Sequence, residues 1–176
     1  MALVAFLRGI NVGGHRSFRP SVLAQDLARY QVVNVGTAGT FVIRRPVSRV
    51  RLRTELARRL PFAAHVMICE GRELLALGRL DPFRRAPRGP KLVHFVSILA
   101  ARPRLAPATP IHLPSVGRWM VRILGRENRL LFGLYRREMK VISYLGLIDQ
   151  VFGVPVTTRS WSTIVSITNL LENPDS

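Results

Sequence analysis

Acidic residues are scarce in this 176-residue chain: ten Asp and Glu stand against 27 Lys and Arg, a formal net charge of +17 at pH 7. Lysine is scarcer still, with Lys91 and Lys140 alone, so 25 of the 27 bases are arginine. An excess of this size points to anionic partners. Cysteine occurs once, as Cys69, which excludes an internal disulfide and a thiolate cluster. The secreted disulfide scaffold and the structural zinc site go with them, and a reducing, cytoplasmic setting is expected. Long apolar runs are missing too. Leu92 to Ala101 is interrupted by His94 and Ser97 and has about half the roughly 20 residues of a membrane span. Met1 to Leu7 meets Arg8 too early for a signal sequence. No membrane partner is expected.

What remains is ample for folding. A hydrophobic content of 48% and a mean hydropathy of +0.17 exclude a wholly disordered chain. The length suits one large domain or two small ones. Seven of the twelve prolines fall between Pro82 and Pro114, bracketing one strand-like run, Lys91 to Ala100. Proline fixes φ and removes a donor, so a boundary is placed near position 80, giving parts 1–80 and 81–176. Charge ignores this boundary: the first 80 residues hold 13 bases and 4 acids, the remainder 14 and 6.

The first part reads as β-α-β-β-α-β. Leu3 to Leu7 is an apolar run of strand length, and Pro20 suits the first turn of a helix with Leu23, Leu27 and Tyr30 on one face. Gln31 to Thr37 and Thr40 to Arg45 follow as strands around Ala38-Gly39. Ser48 caps a helix with Leu52, Leu56 and Leu60 as its buried stripe; Pro61 ends it, and His65 to Cys69 is the last strand. Such a pattern is ferredoxin-like within an α+β fold class. The rest of the chain is mixed: a helix at Gly71 to Leu80, a strand at Lys91 to Ala100, and a hairpin of Arg118 to Leu124 and Arg129 to Tyr135 turning at Gly125 to Asn128. That hairpin would put Arg118, Met120 and Arg122 on one side and Trp119, Val121 and Ile123 on the other. Helices at Ser143 to Phe152 and after Ser160 close the chain.

Two segments carry candidate chemistry. The loop from Arg8 to Arg16 follows a strand and precedes a helix. Its Gly9, Gly13 and Gly14 let backbone N–H groups approach a ligand, while Arg8, Asn11, His15 and Arg16 surround it with donors. A phosphate or carboxylate fits there, although the spacing is neither a dinucleotide fingerprint nor a P-loop. The alternative is a plain strand-to-helix turn. The run Thr157 to Thr163 would set Arg159, Thr163 and other hydroxyls at a helix start, with Trp161 to stack on a base or ring; the alternative is a simple cap. The histidines His15, His65, His94 and His112 show no metal-ligand spacing, so no metal and no cofactor are expected. Glu70 beside Arg72 reads as an ion pair before it reads as a base.

The opening Phe6-Leu7-Arg8-Gly9-Ile10-Asn11-Val12-Gly13-Gly14, followed by Pro20, resembles the bacterial family called domain of unknown function sixteen-ninety-seven. So does the end, where Gly153, Pro155, Thr157 or Thr158, Arg159, Trp161 and Thr163 match its closing pattern. The resemblance implies an α+β protein with a ferredoxin-like first part and a smaller second part, and no assigned activity. It also aligns Lys140 with a family lysine ahead of the penultimate helix. The chain departs from the pattern at Gly36 to Thr40, where relatives carry a Gln-Ser-Gly-Asn-like hairpin, and at Ser160 and Ser162, where they carry asparagines.

The functional expectation is a binding module for an anionic ligand, a nucleic acid or a phosphorylated metabolite, using Arg8, Asn11, Gly13, Gly14, His15, Arg16, Lys140, Arg159, Trp161 and Thr163. A small enzyme on a phosphorylated substrate, with His15 moving the proton, and an interaction domain for an acidic protein are the alternatives. The strands of the first part lack the two or three stacking rings of an RNA-recognition sheet, since Leu3 to Arg8 and Gly39 to Arg44 offer only Phe6 and Phe41.

Overall fold

The computed structural model describes residues 1–9 and 18–174. The chain forms two compact units, Met1–Ala76 together with the chain from Val165 onward, and Leu77–Ile164. Each is a mixed α+β arrangement around an antiparallel sheet.

In the first unit β1 (Leu3–Leu7) lies at the centre of a four-stranded sheet. The order is β2 (Val32–Asn34), β3 (Thr40–Ile43), β1 and β4 (Val66–Glu70), and every neighbouring pair is antiparallel. All five β1 residues are buried, which is why this strand reads as an unbroken apolar run. Two helices cover one face: α1 (Pro20–Asp26), continued by a single 3-10 turn at Ala28–Tyr30, and α2 (Arg49–Arg59). Leu23 and Leu27 from the first and Leu52, Leu56 and Leu60 around the second share a core with Leu3, Ala5, Phe41, Ile43 and Ile68. Ser48 caps α2 by accepting the Arg51 N–H at 3.2 Å, and Arg58 and Arg59 face the negative end of its dipole. The turn between β2 and β3 is longer than a two-residue hairpin, with positive φ at both Gly36 and Gly39.

The helix α3 (Gly71–Leu80) runs across the boundary between the units. The second unit is built on a five-stranded sheet ordered β6 (Ile111–Leu113), β7 (Val121–Glu127), β8 (Leu130–Arg136), β5 (Leu92–Leu99) and β9 (Val156–Ser160). One face is covered by α4 (Val141–Gly146) and α5 (Ile148–Phe152), whose Val141, Ile148 and Phe152 join Phe95, Leu99, Val121, Ile123 and Leu131. The helix α6 (Trp161–Glu172) follows β9 directly.

Three sequence expectations are corrected here. The hairpin turns at Asn128, which takes φ +52, and not at Gly125. Gly125 instead sits in β7 at a bulge, where a Cβ would lie 2.6 Å from the Phe132 ring. The helix expected over Ser143 to Phe152 is broken into α4 and α5 at Leu147. The proline-rich stretch contains an edge strand, β6, flanked by Pro110 and Pro114, where missing donors are tolerated. The run Thr157 to Ser160 is the other edge strand, β9, and leads directly into α6, so the expected helix start follows it at Trp161.

Candidate functional site

The side of the second sheet away from α4 and α5 collects its basic groups. Strand alternation puts His94, Val96 and Ile98 there, and the register extends the set. His112 opposes Arg122, Arg122 opposes Leu134, and Leu134 opposes His94, so one row crosses four strands. In the next row Phe132 and Arg159 both oppose Val96. Glu127, beside the hairpin turn, is the one acid in the five strands and shares this side with Arg122, Arg136 and Arg159, while Arg126 opposes Leu131 on the α4–α5 side. Val96, Ile98 and Leu134 are fully buried, whereas His94, His112 and Arg122 are half-buried. Access is therefore along the margin.

At that margin two nitrogen atoms lack partners. The Nε2 of His112 and the Nε of Arg122 are buried with no hydrogen bond. Burying such a group unpaired costs about 1–3 kcal/mol, so a pair of them on adjacent strands asks for an acceptor. Aromatic contacts orient the neighbours: the Trp119 ring lies 6.5 Å from the His112 ring at 19°, with the Arg136 guanidinium 4.1 Å from the indole centroid. The Nε of Arg136 also donates to the Trp119 carbonyl at 2.7 Å.

The β9–α6 junction lies at the other edge. Arg159 is 7% exposed, and its Nη1 donates to Thr157 Oγ1 at 2.8 Å and to the Thr158 carbonyl at 2.9 Å. Burial pushes its pKa down to about 10, which leaves it charged at neutral pH. Ser160 Oγ bonds Ser162 Oγ at 2.9 Å and Thr163 Oγ1 at 3.1 Å and accepts the Thr163 N–H at 3.4 Å, so these hydroxyls do cap α6. Trp161 meets Phe83 edge-on at 5.1 Å, and Phe83 stacks on His94 at 4.6 Å and 5°. His94 donates from Nε2 to the Pro87 carbonyl at 2.8 Å.

Of the residues expected from sequence, Arg159, Trp161 and Thr163 lie at the β9–α6 junction, each with partners of its own. Lys140 is not with them: it is exposed and precedes α4, which packs on the opposite face of the sheet. Arg8 follows β1 in the first unit, its N–H donating to the His65 carbonyl at 3.0 Å. Asn11, Gly13, Gly14, His15 and Arg16 lie outside the described residues. The expected basic face of the hairpin holds only for Arg122. Met120 is buried in the same core as Val121, and Arg118 precedes β7 and pairs with Glu138 at 2.9 Å. Glu70 is ion-paired with Arg72 and, at 3.3 Å, with Arg49. Sequence reading passed over His112, whose signal appears only once its strand is set against Arg122.

Among the described residues no three His, Cys, Asp or Glu side chains are grouped to hold a metal, and no helix is long and apolar enough to cross a membrane.

Two antiparallel sheets, each with helices, and a basic margin on the second define an α+β protein. The chain belongs to the family described as Protein of unknown function (DUF1697), whose model matches residues 1–113. Its fold is similar to that of a conserved bacterial protein from Streptococcus pneumoniae. The two share 16% identity and a TM-score of 0.63, over 97% of this chain and 98% of the other. No curated protein matches.

Proposed function

We propose that this protein is a binding module for an anionic ligand, a nucleic acid or a phosphorylated metabolite, taken at the margin of the second sheet. The observation that carries the reading is the pair of buried, unpartnered nitrogens on His112 and Arg122. A phosphate or carboxylate oxygen accepts from both, and the guanidinium gives a charge-assisted bond. Arg159 adds positive potential in a desolvated setting where charge acts strongly. Arg8 and the loop with Asn11, Gly13, Gly14, His15 and Arg16 are proposed as a separate anion-binding set in the first part of the chain, and Lys140 as a basic residue outside the margin site.

Calorimetric titration with inorganic phosphate, ATP and a short single-stranded RNA, on the full chain and on Arg122→Gln and Arg16→Ala, tests this. Binding that weakens at least tenfold in Arg122→Gln, about 1.4 kcal/mol, supports the margin as the site. Equal affinity in both variants and the unaltered chain removes it.

A further inference from the structure

The connection between α3 and β5 is the most strongly basic exposed segment of the second unit. Arg84, Arg85, Arg88 and Lys91 are all exposed, with Asp81 the one acid between positions 81 and 91. Arg137 joins them in space, because its N–H donates to the Lys91 carbonyl at 2.9 Å. No described carboxylate forms an ion pair with any of these five side chains.

This segment is held in place. Arg84 N–H bonds the Asp81 carbonyl and Ala86 N–H the Phe83 carbonyl, each at 3.1 Å, and Leu92 N–H closes the last turn on Gly89 at 3.1 Å. Phe83 is buried and stacked on His94, whose ring also ties down Pro87. Pro82, Pro87 and Pro90 restrict φ between these anchors. Five like charges on a fixed backbone repel one another, and a partner that neutralises them pays little to order the chain. The four bases of this turned segment, with Arg137, offer contacts to several phosphates of one strand.

The neighbouring rings argue against base stacking. Phe83 is buried, Trp161 packs edge-on against it, and the Trp119 ring carries the Arg136 guanidinium on one side. We infer that the strap formed by Arg84, Arg85, Arg88 and Lys91, with Arg137, docks the phosphate backbone of double-stranded nucleic acid without reading its bases. Guanidinium forks bond phosphate oxygens in pairs and position a protein on a duplex while carrying no sequence information. This inference uses none of His112, Arg122 or Arg159 and stands apart from the margin site.

The test is fluorescence anisotropy of the full chain with a labelled duplex of about 20 base pairs, a single strand of the same length and polyglutamate, over a salt series. The substituted chain is Arg84→Gln/Arg85→Gln/Arg88→Gln, and the control is Arg51→Gln/Arg58→Gln/Arg102→Gln, which removes equal charge from other exposed positions. Duplex binding at low salt is expected to fall at least tenfold in the strap variant, and the log–log salt slope to drop by about 0.9 for each lost contact. The control is expected to change affinity less than threefold, and two unrelated duplex sequences to bind alike. Four results overturn the inference: no duplex binding at low salt, equal loss in the control, tighter binding of the single strand, or polyglutamate binding more tightly with the same dependence on the strap. Unchanged duplex binding in Arg122→Gln, alongside lost phosphate binding, separates this surface from the margin.

Discussion

His112 faces Arg122 across the β6–β7 pair, and the Nε2 of one and the Nε of the other are both buried without a hydrogen-bond partner. A fold gains nothing from such a pair by itself. Replacing the guanidinium with an unbranched apolar side chain removes an unsatisfied donor and keeps the stem packing. Arg122→Met is therefore expected to leave the melting temperature within about 4 °C of the unaltered chain or to raise it, while phosphate binding is lost. Thermal unfolding followed by circular dichroism reads the first part and calorimetry the second.

Arg159 is hydrogen-bonded, but its charge is buried. Its depressed pKa, about 10, comes from burial, so keeping the charge inside costs stability. Below that value both folded and unfolded forms hold the proton and the cost is complete. As pH rises through about 10 the folded form releases it first, and the cost is relieved. Arg159→Met is expected to match or exceed the unaltered chain in stability at pH 7, with the difference shrinking above about pH 10. Urea denaturation at several pH values measures it.

Glu55 behaves in the opposite sense. Burial pushes its carboxyl up, but hydrogen bonds from Arg59 and Arg29 outweigh this and hold it below its ordinary value of 4.5. A lowered folded pKa gives stability that is complete above 4.5 and is lost as pH falls through the folded value. Glu55→Gln should melt below the unaltered chain at neutral pH, and the two curves should converge in acid. A melting series from about pH 6 down to about pH 3 decides the point.

Gly133 is fixed by backbone contact. A Cβ there would lie 2.3 Å from the Arg122 carbonyl oxygen and 3.0 Å from both Ile123 Cα and the Phe95 ring. A carbonyl in a paired strand cannot step aside, so Gly133→Ala is expected to cost at least about 2 kcal/mol and lower the melting temperature by about 4–8 °C. It would also push on the backbone that carries Arg122.

Much of the fold is written in local pattern. β1, α2 with its Ser48 cap, α3 and β5 follow from apolar periodicity and from the residues that start and stop each element. The misses are long-range. β6 and β9 are edge strands of three and five residues beside prolines, formed because β7 and β5 offer them partners. Gly125 looks like a turn glycine, yet the Phe132 ring above it decides its place in β7. The site shows the same division. Arg159, Trp161 and Thr163 are legible because they are adjacent in the chain, whereas His112, Arg122 and His94 meet only through strand register.

The most direct measurement of the margin site is the Nε–H resonance of Arg122 in a 1H–15N spectrum, titrated with inorganic phosphate to about 10 mM, with His112→Phe as the companion chain. A saturable shift of that signal, weakened in His112→Phe, is the expected result. An Arg122 Nε–H signal that stays in place while signals elsewhere move, or while none move at all, contradicts the site.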